Sequence, residues 1–283
     1  VRRAEAGVEQ SSLTSRQSSL AALSRRTQRA QSVSHHLLVI VPPLLLGVVI
    51  LVIWFAGTSL GHVQSLILPA PGDVFASLGA GLSSGLFFSN ALVTIEESLV
   101  GFLLAVAIGL PLGYCIAKWR LFAATVQPYL AAGQAIPAIV IAPVLYLLLG
   151  YGIVPIIILC ALIVLFPMVI TTALGFQTID PALVDAARVE GASGWPMLAK
   201  IEFPLALPAI LAAVRTGLTL SITGALVGEF VVQGASGLGA LVLVSTDQFN
   251  TPQLFATLLV LAFLAALYYT ASWLLVKLAN AIY

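Results

Sequence analysis

Carboxylates placed in otherwise apolar stretches are the side chains of this sequence best suited to chemistry. Glu96 and Glu97 stand together near the start of one apolar stretch, and Glu229 lies towards the end of another. A carboxylate in such surroundings is costly unless it faces a polar cavity or a partner side chain. Adjacent helical positions point about 100° apart, so at most one of Glu96 and Glu97 faces a cavity. These residues predict either a polar pathway through an apolar scaffold or hydrogen bonds between helices.

Metal binding and catalysis have no comparable support in the sequence. The cysteines Cys115 and Cys160 are isolated, and the histidines stand elsewhere, at His35, His36 and His62. Neither a disulfide framework nor a metal site is expected from that spacing, and both cysteines are interpreted as small apolar core residues. No clustered nucleophile or acid–base pair is visible, and no G-x-x-x-x-G-K-[ST] loop occurs. We therefore expect a non-catalytic chain that binds no metal or cofactor of its own.

The stretch V-D-A-A-R-V-E-G-A-S-G-W-P-M-L-A-K-I-E-F-P-L-A-L-P, residues 184–208, concentrates charged residues between long apolar segments. Just before it, Asp180 suits a helix N-cap and Pro181 the first helical position. The pattern predicts a short helix from Pro181 to Arg188 or Glu190. Gly191 suits the position immediately beyond the helix.

One face of this short helix is built from small residues. Leu183 and Ala187 are four residues apart and are expected to share a face with Gly191. Such a face would let another protein's groove approach closely. A hairpin that merely joins two membrane spans is the alternative, and the local pattern leaves both open.

The composition places the chain in a membrane. Of 283 residues, 60% are hydrophobic and 8% are charged, whereas soluble domains carry about 25% charged residues. The mean hydropathy is +1.09. Continuous apolar runs of about 20 residues indicate helices rather than a barrel. Six spans are predicted, at 37–57, 92–117, 127–149, 153–174, 206–232 and 254–277.

The positions of Lys and Arg predict the orientation of these spans. The basic residues precede the first span, follow the second, surround the connection from the fourth to the fifth, and end the sixth. With six spans, all of them fall on one side, which is expected to be cytoplasmic, together with both termini. Residues 1–36 are rich in Ser, Gln and Arg and predict a flexible basic tail. No nucleic-acid partner is expected, and the chain's environment is the lipid bilayer.

The charged stretch resembles a known family signature. Asp185-Ala186-Ala187, three residues, Gly191, nine residues and then Ile201-x-Phe203-Pro204 resembles the E-A-A-x3-G-x9-I-x-L-P signature of bacterial ABC importer permeases. Asp185 stands where the family usually has Glu, and Phe203 where it usually has Leu. Both differences keep the charge or the apolar character of the position.

The resemblance covers about residues 68–280 and points to the nitrate/sulfonate/taurine-type permeases. Four further segments carry it: L-P-A-P-G-D-V (68–74), T-I-E-E-S-L-V-G-F-L-L-A-V-A-I-G-L-P-L-G (94–113), Q-A-I-P-A-I-V-I-A-P-V-L-Y-L-L-L-G-Y-G (134–152) and G-E-F-V-V-Q-G-A-S-G-L-G (228–239). Glu97 stands where many sulfonate- and taurine-type permeases carry Arg. That residue and the later S-T-D-Q-F-N-T-P-Q-L-F look more like the branch that imports thiamine-precursor pyrimidines or riboflavin.

The resemblance implies an all-α polytopic membrane protein of the type I ABC importer kind. Residues 37–283 would form a six-helix permease domain, with a cytoplasmic coupling loop at 176–204. Two ATPase subunits, which hold ATP and Mg, would dock there. A second copy of the chain and an extracytoplasmic binding protein would complete the importer. The coupling residues implied by the match are Asp180, Pro181, Leu183, Asp185, Ala186, Ala187, Arg188, Gly191, Ile201 and Pro204.

Solute contacts are expected from polar residues within the spans, namely Glu97, Gln134, Ser221 and Glu229. Each is also suited to hydrogen bonding between helices. The scarcity of basic residues on the outer side favours a small heterocycle over nitrate, sulfonate or taurine, which remain alternatives. A secondary transporter or channel without an ATPase is an alternative of another class. It would need more ionisable residues deep in the spans than this sequence has.

Overall fold

The structure, a computed structural model, describes residues 41–42, 45–59, 66–232 and 234–282. The chain divides into two units, residues 1–64 and 65–283. In the first unit the described helix is α1 (Leu45–Ser59). The tail predicted at residues 1–36 lies outside the described residues. No β-strand occurs within the described ranges, which agrees with the all-α prediction.

The second unit is a series of helices joined by short connections. Their bounds are α2 (Pro71–Ser83), α3 (Leu86–Lys118), α4 (Arg120–Ala135), α5 (Ala138–Leu149), α6 (Ile153–Gln177), α7 (Pro181–Val189), α8 (Gly194–Met197), a π-helical turn (Leu198–Glu202), α9 (Phe203–Val231), α10 (Leu238–Asp247) and α11 (Thr251–Ile282).

Three long helices, α3, α6 and α9, pack together through glycines. A Cβ at Gly101 of α3 would lie 2.4 Å from Cys160 Cβ of α6, and one at Gly113 would lie 2.7 Å from Thr172 Cβ. The same side of α6 receives α9, where a Cβ at Gly224 would lie 2.8 Å from Cys160 Cα. Small residues let apolar helices approach this closely, because nothing else separates their backbones. These contacts make α3 parallel to α6 and α9 antiparallel to both.

Adding a single methyl group at the α3–α6 contact tests this packing. We expect Gly101→Ala to lower the free energy of unfolding by about 1–3 kcal/mol, the usual cost of overpacking. Its Cβ would also lie 2.8 Å from the carbonyl oxygen of Ile157, which is backbone and cannot rotate away. Gly79→Ala is the matched control, because Gly79 is also helical and has open space around it. Equal unfolding midpoints for the two variants in detergent would contradict the packing argument.

Four of the six predicted spans are long apolar helices, at Leu86–Lys118, Ile153–Gln177, Gly194–Val231 and Thr251–Ala279. The fifth of these predictions, 206–232, began too late, because the helix runs on continuously from Gly194. Of the first predicted span, at 37–57, the structure describes residues 41–42 and 45–57, which are helical, and the rest lies outside the described residues. The described residues therefore hold four spans, or up to five if a bent pair counts as one.

The predicted span at 127–149 is wrong as a single helix. It is divided between α4 and α5, whose axes differ by 100°. The break falls at Ile136 and Pro137, where Ile136 has an extended backbone (φ −82°, ψ 121°). A proline disfavours helical geometry in the residue before it, so Pro137 ends α4. The bend opens a cavity of about 450 Å³ beside Phe166.

Candidate functional site

The short helix predicted after Asp180 is present as α7. The Asp180 side chain accepts a hydrogen bond from the Ala182 backbone N–H at 2.9 Å, and Pro181 occupies the first turn. The N-cap prediction is therefore confirmed. The cap satisfies one of the free N–H groups at the start of the helix, which lets a helix of 9 residues stand at the surface.

Gly191 closes the other end of α7. Its φ is +90°, a left-handed conformation that only glycine adopts without strain. The Ala192 N–H donates to the Ala187 carbonyl at 2.9 Å, and the Gly191 N–H donates to the Arg188 carbonyl at 3.0 Å. This pair of bonds is a Schellman motif, which satisfies the last carbonyls of the helix. Both ends of α7 are thus fixed by local hydrogen bonds.

The face of α7 that reaches solvent differs from the predicted one. Ala187 is buried at 9% exposure, and Val184 is half-buried on the same side. Leu183 and Val189 are 51% and 89% exposed. The prediction of one open face through Leu183, Ala187 and Gly191 was wrong at Ala187, because α7 rests that side on its own chain. The exposed surface instead combines Leu183, Ala186 and Val189, and Val189 was missed by the sequence reasoning.

The charges of α7 lie on its exposed surface. Arg188 Nη1 lies 2.9 Å from Asp185 Oδ1, three residues earlier on the same helix. Both side chains are more than 60% exposed, so the pair contributes little to stability. The two charges remain available to groups outside the chain.

A half-buried ion pair joins α3 to the turn before α9. Lys118, in the last turn of α3, pairs with Glu202, which is 2% exposed. The Tyr114 hydroxyl lies 3.5 Å from the second oxygen of Glu202. Lys118 is one of the basic residues that follow the second predicted span, whereas Glu202 was not among the predicted residues. The signal available was a lone carboxylate between Ile201 and Phe203 at the edge of an apolar run.

A π-helical turn places Glu202 at this position. The Phe203 N–H donates to the Leu198 carbonyl, five residues earlier, instead of the usual four. Pro204 follows directly, and a proline inside a helix clashes with the carbonyl four residues before it. The wider turn relieves that clash and rotates Glu202 inward. Ile201 and Pro204 are therefore helical residues at the entry to α9, so the predicted loop at 176–204 is helical from Gly194 onward.

Two cavities connect the Lys118–Glu202 pair to α7. One, of about 210 Å³, is lined by Lys118 and Glu202 together with Val184, Asp185 and Arg188. The other, of about 530 Å³, lies against the same pair and reaches Gly191. The ion pair, the end of α3 and the short helix therefore share one region of the molecule.

Glu229 lies at the opposite end of the bundle, where α9 ends. Its carboxylate is fully buried and accepts hydrogen bonds from the Thr94 hydroxyl at 2.6 Å and from the Gly239 N–H. Thr94 Oγ1 in turn accepts from the Leu238 N–H at 2.9 Å, and Asn90 Oδ1 accepts from the Gly237 N–H at 3.0 Å. These side chains cap the start of α10, where a helix also favours a negative charge.

Removing the Glu229 carboxylate should loosen α10. We expect Glu229→Ala to cost about 2–3 kcal/mol, because the buried Gly239 N–H loses its acceptor. Hydrogen exchange of the backbone amides of α10 should rise in parallel. Glu96→Ala is the control, since Glu96 is exposed and its loss should change stability by less than about 0.5 kcal/mol. Unchanged protection of the α10 amides would show that the cap is not needed.

Glu97 and Glu96 point to different environments, as predicted. Glu96 is exposed, whereas Glu97 is 2% exposed and lines a cavity of about 510 Å³. The side chains of Glu97 and Glu229 are close enough to hydrogen-bond to each other, which two carboxyl groups do through a shared proton. Glu97 Oε2 nevertheless has no hydrogen-bond partner.

The other two expected solute contacts lie elsewhere. Gln134 is exposed and lines the cavity at the α4–α5 break. Ser221 is fully buried and donates to the Leu218 carbonyl of its own helix at 2.8 Å. The structure therefore brings Glu97 and Glu229 together and leaves Gln134 and Ser221 outside the cavity that Glu97 lines.

Both cysteines carry free thiols; Cys160 is fully buried and Cys115 half-buried. The core interpretation is confirmed for Cys160, while Cys115 lies at the edge of an apolar cavity with Tyr114 and Trp195. Within the described parts of the chain, no three or more His, Cys, Asp or Glu side chains are grouped to hold a metal ion.

Comparison with known proteins identifies the family to which this architecture belongs. The family of binding-protein-dependent transport system inner membrane components matches residues 105–282, more than half of the chain. The riboflavin transport system permease protein RibX of Chloroflexus aurantiacus is 40% identical over 229 residues, which cover 81% of this chain and 85% of RibX. A putative aliphatic sulfonates transport permease protein, SsuC of Bacillus subtilis, is 29% identical, with 77% of this chain and 79% of SsuC covered.

Among solved structures, an inward-facing form of the MetNI methionine ABC transporter matches with a TM-score of 0.61. The match covers 68% of this chain and 95% of the other, at 22% sequence identity, and shows a shared fold. The predicted resemblance to ABC importer permeases is confirmed by these matches. The apolar helices and the family together indicate a multi-pass inner-membrane protein. This chain belongs to the family of ABC transporter permeases, the inner-membrane components of binding-protein-dependent transport systems.

Proposed function

We propose that this permease forms the solute pathway of an ATP-driven importer and that α7 is its coupling helix. The observation that carries the proposal is the geometry of α7. It is short, fixed at both ends by Asp180 and Gly191, and exposed along Leu183, Ala186 and Val189. A helix of this kind can enter a groove on another protein without losing its own structure. The family-like spacing from Asp185 to Pro204 supports the same role.

Transmission from α7 into the membrane would use the Lys118–Glu202 pair. A displacement of α7 would act through Val184 and Ala187, which pack against the rest of the permease. The adjoining cavities are lined by Arg188 as well as by Lys118 and Glu202. Because the Lys118–Glu202 pair joins α3 to the start of α9, those two helices would move together when α7 shifts against them.

The proposed partners are those of a binding-protein-dependent importer. Two ATPase subunits, carrying ATP and Mg, would bind α7 on the cytoplasmic side, where both termini of the permease would also lie. A second copy of the permease would complete the pathway, and an extracytoplasmic binding protein would deliver the solute to the α10 end. The family's name, which specifies binding-protein dependence, supports that last partner.

Riboflavin or a thiamine-precursor pyrimidine is the proposed solute. The 40% identity to a permease named for riboflavin transport supports this choice. The cavity beside Glu97 also disfavours an anion, because no Lys or Arg of the described chain lines it. The similarity to a permease named for aliphatic sulfonates keeps sulfonate, nitrate or taurine as the second candidate.

Reconstitution tests the proposal. The permease, its ATPase and its binding protein are placed in liposomes, and uptake of labelled riboflavin, a 4-aminopyrimidine and taurine is measured with and without ATP. We expect riboflavin or pyrimidine uptake that requires ATP and the binding protein. ATP-dependent uptake of taurine alone would replace the solute while keeping the importer. Flux through the permease alone, driven by an ion gradient, would overturn the importer mechanism.

A further inference from the structure

The cavity beside Glu97 has the dimensions and the walls of a small-molecule site. Its volume of about 510 Å³ lies within the range of about 300–1,000 Å³ that such sites occupy. Apolar side chains, including Val93, Ile156 and Val232, form one wall, and the backbone at Gly234–Ser236 forms another. Apolar walls with a few fixed polar groups are the usual make-up of a ligand site.

Glu97 supplies one oxygen, Oε2, that no group in the described chain satisfies. The residue is 2% exposed, and its Oε2 is buried without a hydrogen-bond partner. A buried carboxyl oxygen left in this condition is costly. By contrast, both oxygens of the neighbouring Glu229 accept hydrogen bonds, from Thr94 and Gly239. The open oxygen of Glu97 therefore needs a donor from outside the chain.

Two tyrosines give the rim of the cavity an aromatic surface. Tyr151 lines the cavity and is 78% exposed. Tyr146 packs edge-on against it, with ring centroids 4.3 Å apart and planes at 78°. Tyr146 also packs on the buried cluster of Ile156 and Val232, which holds it in place. Tyr151 thus offers a supported ring face on which a flat ligand can stack.

The polar groups of the cavity select among ligands. Its lining residues include the carboxyl group of Glu97 and no Lys or Arg within the described chain. A sulfonate or nitrate would find no cation among these residues, whereas an N–H donor would find the open Oε2 of Glu97. A flat ring gains from the tyrosine and the apolar wall at the same time.

We propose that this cavity binds a planar heterocycle that donates an N–H hydrogen bond to Glu97 and stacks on Tyr151. The permease then holds its own solute site at the α10 end, in addition to any site on the binding protein. This inference rests on the proposed function for the identity of the solute, which it narrows to flat rings bearing N–H groups. Flavins and aminopyrimidines share that chemistry.

Equilibrium binding to the permease–ATPase complex in nanodiscs, without binding protein, tests the cavity directly. The probes are labelled riboflavin and a labelled 4-aminopyrimidine. We expect Glu97→Ala to weaken the Kd of the probe that binds by at least about tenfold, the loss typical of a hydrogen bond to a carboxylate. Glu97→Gln keeps an oxygen acceptor and should recover most of the affinity. Glu96→Ala is the matched control, and it should bind like the wild type.

A second variant keeps the test decisive if Glu97→Ala does not fold. Tyr151 is on the rim, so Tyr151→Ala should leave the fold intact and still weaken binding several-fold, while Tyr151→Phe should not. Wild-type affinity in both Glu97→Ala and Tyr151→Ala, or no binding of either probe to the wild-type complex, would overturn the inference. Uptake and binding separate the two proposals. If the importer takes up riboflavin but the variants bind it as tightly as the wild type, the cavity proposal is refuted and the proposed function stands. If the importer takes up taurine but riboflavin binding still depends on Glu97, only the proposed solute is refuted.

Discussion

Gly191→Val should abolish most solute uptake per ATP hydrolysed while the permease still inserts and assembles. Gly191 has φ +90°, and a β-branched residue held there costs about 1–3 kcal/mol. No atom lies within 4 Å of the position a Cβ would take, so the cost comes from the backbone alone. The hydrogen bonds that end α7 at Arg188 and Ala187 would then be lost. A misdirected coupling helix should lower coupled uptake about tenfold or more, measured beside ATPase activity in proteoliposomes.

Gly191→Asn is the control that isolates the backbone effect. Asparagine is larger than glycine and polar, but it tolerates the left-handed conformation. We expect this variant to keep coupled uptake close to the wild type. If the valine variant also retained wild-type uptake per ATP hydrolysed, α7 would not be the element that couples the permease to its ATPase.

Lys118→Met should be among the most destabilising single substitutions at the α7 end. It leaves Glu202, which is 2% exposed, without its cation. Leaving that buried carboxylate without its partner should cost about 2–3 kcal/mol, less than in a fully buried pair because Lys118 is partly exposed. Glu202→Gln should cost less, because the Lys118 side chain is 33% exposed and reaches water. Denaturant titration of the purified permease in mixed micelles measures both free energies of unfolding.

The double variant Lys118→Met/Glu202→Met tests whether the unpaired charge of Glu202 causes the loss of stability. An apolar replacement of both partners removes the stranded charge, and such replacements are often neutral in stability. We therefore expect the double variant to be more stable than Lys118→Met alone. Its coupled uptake should still be low if the pair transmits motion from α7 to α3. A double variant as unstable as Lys118→Met would show that the charge is not the cause.

The α7 region shows which structural features could be predicted from the local sequence. Asp180 and Gly191 act through hydrogen bonds within five positions, and Pro181 acts through its own backbone angle, so their roles could be predicted from residue type and order. The exposed face could not be predicted, because it depends on which side of α7 rests on the end of the bundle. Ala187 was therefore assigned to the open face, whereas packing buries it.

The Lys118–Glu202 pair and the cap of α10 could not be predicted from the sequence. Lys118 and Glu202 are 84 positions apart, and Thr94 and Glu229 are 135 apart. Sequence reasoning saw Glu229 as a costly buried charge but could not name its partners. Glu202 was overlooked, since neither the π-helical turn at Leu198–Glu202 nor the burial of this residue is visible in the sequence. Contacts between distant segments need the fold before they can be identified.

The amino-acid order alone determined that this chain lies in a membrane, is helical, and carries a capped helix with a family-like spacing. Those features depend on composition, on runs of apolar residues and on short-range hydrogen bonds. Only the tertiary structure decided that α4 and α5 turn by 100°, that Glu229 caps α10 and that Glu97 is left with an open oxygen. Each of these outcomes depends on which surfaces meet when glycine-lined helices pack, and a linear sequence does not specify that.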